Sequence, residues 1–240
     1  MPTGTTTPAD ALAVDDPRLD SEFWRAVPPN GSRGAVLLVG VVHGHPASSY
    51  RVRTAVETFD PDVVGLELPS VAVPAFERAA RDADDPDEMG EMRTAIDAAS
   101  GSEVVGIDTL GPGFVGRLAA NAIVDRAPPS TVRRTARNVG YVLGDAVARR
   151  LDPGDEEWPT PVDPDVEATD APAVQASDER AEVARSKSLL GAIERPRADR
   201  LLDRTREGTM TANIEALRRR GSVVAVVGMD HLDAIASDLS

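Results

Sequence analysis

Four short apolar runs recur along the chain and predict four buried strands. Residues 35–42, 62–68, 103–107 and 222–227 are rich in valine, and each run follows Gly, Pro or Ser. Runs that are apolar throughout, rather than alternating with polar residues, are typical of strands buried on both faces of a parallel sheet. Helical spacing of apolar residues lies between them, at 48–59, 71–81 and 86–99. This alternation predicts an α/β fold with a mainly parallel open sheet of about four core strands.

The interval between the third and fourth strands is too long for a single crossover helix. Helical spacing recurs there at about 114–125, 131–150 and 178–220, so we predict a helical insertion over about residues 114–220. Within it, residues 152–177 hold five prolines and many acids around Trp158, a composition typical of a solvated loop. We expect residues 1–33 to be a flexible segment before one domain at 34–240.

The net charge of the chain argues against two classes of binding partner. The 240 residues include 40 Asp and Glu against 26 Lys and Arg, a net charge of -14 that repels nucleic acid and anionic membranes. No segment reaches the roughly 20 apolar residues that span a bilayer, and no signal sequence is visible, which favours a cytoplasmic protein. Lys187 is the sole lysine. Acid excess with so little lysine favours a halophilic protein, with an ordinary acidic cytosolic protein as the alternative.

The histidines point to a site at one edge of the sheet. The chain has no cysteine, so any metal ligands must be His, Asp or Glu. His43, His45 and His231 all follow predicted strands, while Glu67 and Asp108 close two others. In an open parallel sheet, ligands bind beyond the carboxyl ends of the strands. We therefore predict that these polar residues converge there.

Two imidazoles and a carboxylate suit hydrolytic metal chemistry. They can hold a divalent ion and leave positions open for water and substrate. Glu67 is the most informative residue, because it interrupts an apolar strand where an unpaired carboxylate would be costly. Structural alternatives stay open: hydrogen-bonded histidines at strand ends, a helix cap at Asp108 and an arginine partner for Glu67.

Five motifs in order carry a resemblance to a known family. Gly40 to His43 form Gly-x-x-His after the first strand, and Pro61 to Leu68 read Pro-Asp-Val-Val-Gly-Leu-Glu-Leu. Asp108 closes the third strand nine residues before Arg117, Arg206 to Met210 form Arg-x-x-x-Met, and Gly228 to His231 repeat Gly-x-x-His. This series resembles the TraB/Tiki (TraB/PrgY/GumN-like) family.

The resemblance implies an EreA/ChaN-like fold and a metal-dependent peptidase activity. Matched by position, the residues that carry this activity are His43, His231 and Glu67. Because the bacterial branch shuts down peptide pheromones by either proteolysis or sequestration, a non-catalytic peptide- or metal-binding regulator stays open. Asp230 stands where the second motif usually has a small residue, and it is read as an added ligand or a helix cap.

Our leading interpretation is a metal-dependent hydrolase acting on a peptide or other small substrate, with homo-oligomerisation left open. His43 and His231 hold Mn, Co or Zn, and Glu67 is the third ligand or the general base. Arg206 is a candidate for binding a substrate carboxylate or oxyanion, or else a structural partner of Glu67 or Asp108. Asp108 is a candidate for orienting a ligand imidazole.

Two further motifs in the sequence suggest other kinds of site. Gly111 to Gly116 spell Gly-x-Gly-x-x-Gly, but Pro112 removes an amide and the motif follows the third strand rather than the first, so a turn and helix start is preferred over a dinucleotide site. His43-x-His45 also occurs in metal hydrolases built on eight-stranded barrels, but only four strands are predicted here. His45 is therefore expected beside the ligands or at the surface, with a role as a metal ligand as the less favoured alternative.

Overall fold

A five-stranded sheet forms the centre of the protein. The computed structural model describes residues 7–82, 90–137, 139–140, 164–192 and 195–240. The strands are β1 (Trp24–Val27), β2 (Val36–Val41), β3 (Val63–Leu66), β4 (Glu103–Gly106) and β5 (Val223–Gly228). Their order in space is β1-β2-β5-β3-β4, with β1 antiparallel to β2 and all other pairs parallel. The predicted α/β class with a mainly parallel sheet is confirmed.

The N-terminal part of the domain contains the strand that the sequence did not reveal. β1 pairs along the edge of β2, and the residues before it place Leu12, Leu19 and Phe23 in the core, each at most 2% exposed. Residues 7–33 therefore pack on the domain, which corrects the expected flexible segment at 1–33 for these residues, while residues 1–6 lie outside the described part of the chain. Apart from Ala11 to Val14, the apolar residues of 7–33 stand singly or in pairs among acids and prolines, so no strand or helix period emerges from the sequence.

Helices cover both faces of the sheet. They are α1 (Pro46–Phe59), α2 (Val73–Asp82), α3 (Glu91–Ala98), α4 (Pro112–Val124), α5 (residues 129–137), α6 (Pro172–Ala192), α7 (Arg197–Leu217) and α8 (Met229–Leu239). Leu37 and Val39 of β2 join a core with α1 and α3, whereas Val36 and Leu38 join a second core with α7 and α8. A strand buried on both faces explains the unbroken apolar run that predicted it.

The predicted helical insertion corresponds to α4 through α7. The helix predicted at 178–220 is two helices, α6 and α7, separated near residues 195–196. The predicted loop at 152–177 lies outside the described residues up to 163, and its end is wrong, because α6 already begins at Pro172. Proline is well tolerated at the first position of a helix, because an N–H group at that position makes no intrahelical hydrogen bond.

A buried ion pair fastens the insertion to α1. Arg51 and Glu179 are both 0% exposed, and the Arg51 guanidinium donates to both oxygens of Glu179. Ser48 Oγ donates to Glu179 Oε1 at 2.5 Å, and Arg51 Nη1 donates to the Gly40 carbonyl at 2.8 Å. The helix α6 is thus anchored beside the loop that carries His43.

No helix in the described part of the chain combines the length and the apolar character needed to cross a membrane.

Candidate metal centre

The strand order brings the predicted residues together around Gly228. Because β5 lies between β2 and β3, its last residue is flanked by His43 and Glu67, which follow those two strands. A Cβ placed on this glycine would lie 3.4 Å from Oε2 of Glu67, 3.8 Å from Nε2 of His43 and 3.9 Å from Cδ2 of His231. The three predicted ligands therefore border one small space that the missing side chain leaves open.

Glu67 is satisfied by a backbone amide and by an arginine. Its side chain is 6% exposed, Oε2 accepts from the Gly228 amide at 2.6 Å, and Oε1 accepts from Arg206 Nη2 at 2.6 Å. Arg206 Nε also donates to Asp108 Oδ2 at 2.9 Å. Burial alone would lower the pKa of Arg206, but the charges of Asp108 and Glu67 raise it above its usual range. The structure thus makes Arg206 the partner of both carboxylates.

His43 is held by a glutamate from α3. His43 Nδ1 lies 2.7 Å from Glu91 Oε1, and Glu91 Oε2 accepts from the Gly44 amide at 3.0 Å. The bond with Glu91 raises the pKa of His43 by more than burial lowers it. Burial pushes the pKa of Glu91 up, but its bonds with His43 and Gly44 leave that pKa below the ordinary value. Glu91 is therefore an ionised carboxylate at neutral pH.

His231 repeats this arrangement from the other side. Its Nδ1 lies 3.0 Å from Glu207 Oε1, and its Nε2 lies 3.6 Å from Glu67 Oε1 and 3.5 Å from Arg206 Nη1. Burial lowers the pKa of His231, but the bond with Glu207 and the charge of Glu67 raise it above the ordinary value overall. Both histidines thus use Nδ1 for a carboxylate.

Two candidates from the sequence lie apart from this cluster. His45 is fully buried as the N-cap of α1, where Nδ1 accepts from the Ala47 amide at 3.1 Å and Nε2 lies 3.3 Å from Asp178 Oδ2. Both of its ring nitrogens are therefore engaged in joining α1 to α6. Asp230 is exposed in the first turn of α8, and the N-cap of that helix is Gly228.

The glycine-rich motif is the start of a helix. Gly111 is the N-cap of α4, and Pro112 is the first residue of that helix. This geometry agrees with the turn interpretation preferred from the sequence.

Sequence reasoning missed the two carboxylates that hold the histidines. Glu91 is one of several acids between residues 82 and 91, and nothing in that stretch distinguishes it. Glu207 directly follows the motif residue Arg206, and this adjacency was a usable signal. On a helix, neighbouring residues point about 100° apart, so an arginine facing Glu67 allows its neighbour to face His231.

Comparison of the chain with protein-family models, with curated proteins and with solved structures finds no match in any of the three. The resemblance to the TraB/Tiki family therefore rests on the sequence motifs.

Within the described ranges, no group of three or more His, Asp or Glu side chains is arranged to hold a metal ion as it stands. Glu67, which would complete the set with His43 and His231, is bonded to Arg206 instead.

Proposed function

We propose that this protein is a metal-dependent hydrolase of the TraB/Tiki type, with an EreA/ChaN-like fold, that acts on peptide bonds in a high-salt cytoplasm. One observation carries the proposal. Two imidazoles are each bonded through Nδ1 to a carboxylate, at 2.7 Å for His43 and 3.0 Å for His231, beside the buried carboxylate of Glu67.

The side-chain types of the cluster are those that bind a divalent ion. Histidines that bind metals almost always donate their other N–H to a carboxylate, carbonyl or water, which orients the ring. His43 and His231 would hold the ion through Nε2, with Glu67 as the third ligand, and the ligand types suit Mn, Co or Zn. Gly228 keeps the space between them clear.

The charge around the cluster also favours a cation. Two carboxylates contact the Arg206 guanidinium and two others contact the imidazoles, so these groups together carry three negative charges when both imidazoles are neutral. Oδ1 of Asp108 is buried and has no hydrogen-bond partner among the described residues. The four carboxylates are those of Glu67, Glu91, Asp108 and Glu207.

The chain's own residues divide the remaining work. A divalent ion bound here would lower the pKa of a water to about 7 and polarise a substrate carbonyl. Glu67 accepts a proton from the attacking water if it is not itself a ligand. Arg206 donates a hydrogen bond to Glu67 and places Nη1 beside His231, where it can donate to a negatively charged oxygen of the substrate.

The test is to strip the protein of metal with a chelator and titrate it with Mn, Co or Zn. The wild type should bind about one ion, and the His43→Ala, His231→Ala double variant should bind at least about 100-fold more weakly. The loaded wild type should cleave members of a fluorogenic peptide library. Equal affinity in the two proteins would contradict a shared site.

A non-catalytic peptide- or metal-binding regulator is the second candidate. It is favoured by the engagement of both Glu67 oxygens, one by Arg206 and one by the Gly228 amide. Stoichiometric ion binding with no turnover across the peptide library would select this function over hydrolysis.

A further inference from the structure

We propose that Glu91 is a positioning residue that selects the Nδ1–H tautomer of His43, leaving Nε2 as a lone pair that faces the space beside Gly228. The tautomer follows from the structure alone. Its use in metal binding rests on the proposed function.

The carboxylate of Glu91 has two hydrogen-bond partners. Oε1 of Glu91 lies 2.7 Å from His43 Nδ1, and Oε2 accepts a hydrogen bond from the Gly44 amide at 3.0 Å. An ionised carboxylate has no proton to donate, so the ring nitrogen that faces it must be the donor. A neutral imidazole carries only one N–H, so Nε2 of His43 is then unprotonated.

Burial makes this selection strict. The Glu91 side chain is only 6% exposed, so water has little access to its two oxygens, whereas the His43 side chain is 40% exposed. Glu91 also lies in the first turn of α3, where the helix dipole favours a negative charge. Two fixed donors, a ring N–H and a backbone N–H, therefore require an acceptor with two oxygens.

Glu91→Gln provides a sharp test because an amide has one acceptor and one donor end. The Gly44 amide can only donate, so the glutamine oxygen should turn to it. The glutamine NH₂ group then faces His43 Nδ1, which must become the acceptor. The ring proton should therefore move to Nε2, the nitrogen proposed to bind the ion.

Glu207 serves as an internal comparison. Among the described residues, its carboxylate makes one hydrogen bond, to His231 Nδ1, and the side chain is 21% exposed. A glutamine there can turn its oxygen to the ring without leaving a backbone donor unpaired. Glu207→Gln should therefore keep the His231 tautomer, whereas Glu91→Gln should change that of His43.

The experiment records long-range ¹H–¹⁵N spectra of the metal-free protein with ¹⁵N-labelled histidine, at a pH high enough for neutral rings. The wild type should show His43 protonated at Nδ1, and Glu91→Gln should show it protonated mainly at Nε2. Zinc affinity should fall by about 10- to 100-fold in Glu91→Gln. The control is Asp97→Asn, also on α3, whose side chain is 44% exposed and bonded to Arg53, and which should change neither quantity.

A wild-type His43 protonated at Nε2 would overturn the inference even if the variant failed to fold, and so would an unchanged tautomer in folded Glu91→Gln. A confirmed tautomer change with no zinc binding by the wild type would refute the proposed function and leave the role of Glu91 intact. Equal zinc affinity in the wild type and Glu91→Gln would refute its role in metal binding.

Discussion

Arg206 is a positively charged side chain at the candidate site, and its replacement tests most directly whether it neutralises Glu67 and Asp108. In Arg206→Met the methylene stem is largely kept, but the guanidinium that bridges Glu67 and Asp108 is lost. These side chains are 6% and 11% exposed, so two nearly buried carboxylates would be left without their counter-charge.

The expected loss of stability can be bounded from the structure. Removing one partner of a buried ion pair costs about 3–5 kcal/mol. The Arg206 side chain is 27% exposed, so water would compensate part of that loss, and we expect about 2–3 kcal/mol. For a domain of this size, each kcal/mol lowers the melting temperature by about 2–4 °C, so the shift should be about 4–12 °C.

The assay is thermal and urea unfolding of the metal-free variant beside a matched control. Arg204→Met makes the same change on the same helix, but Arg204 is 55% exposed and pairs with Asp125, which is 37% exposed. That surface pair should contribute less than about 0.5 kcal/mol. If the two variants unfold within about 0.5 kcal/mol of each other, Arg206 does not neutralise the buried carboxylates as argued.

Three further predictions follow from the site, the surface and the sheet. If Glu67 is the general base, Glu67→Gln should retain the metal ion and lose about 100-fold or more in turnover, whereas a ligand role predicts loss of both the ion and the activity. Full retention of the ion and of the activity would make Glu67 structural. The control is Glu57→Gln, because the Glu57 side chain on α1 is 56% exposed. The melting temperature should rise between 0.1 M and 1 M salt, because screening relieves repulsion in a chain of net charge -14, and a flat or falling curve would contradict the halophilic interpretation. Hydrogen bonds from Ser222 hold the pKa of Asp62 below its ordinary value, so their stabilisation is present above pH about 4 and is lost as the pH falls through the lowered pKa. Asp62→Asn should therefore cost about 1 kcal/mol or less at pH 7 and nothing in strong acid; equal unfolding free energies at pH 7 would count against this bond.

The elements that carried local patterns were predictable. The four apolar runs became β2, β3, β4 and β5 with ends displaced by one or two residues. The edge strand β1 was missed, because a four-residue strand with one face against the domain has too few residues to show a period. The break between α6 and α7 was missed because helical spacing continues on both sides of it.

The candidate site likewise contains residues that the sequence could predict and residues that it could not. Glu67 was recognisable because a carboxylate in an apolar strand requires a partner, and the structure provides Arg206 and the Gly228 amide. Glu91 was not recognisable, because its role depends on α3 lying against the loop after β2. His45 shows the opposite error: its position after a strand resembled that of a ligand, but it caps α1 and lies against Asp178 of α6.

The sequence by itself determined four of the five strands, most of the helical segments, the net charge, and the presence of His43, Glu67 and His231 at strand ends, because these depend on residues close together in the chain. The tertiary structure alone decided that β5 lies between β2 and β3, that Gly228 stands among the three side chains, and that Glu91 and Glu207 hold the two rings. These arrangements depend on contacts between segments up to about 160 residues apart, such as Glu67 with Gly228. Such contacts arise from how the two faces of the sheet are buried together, and no local pattern of residues encodes them.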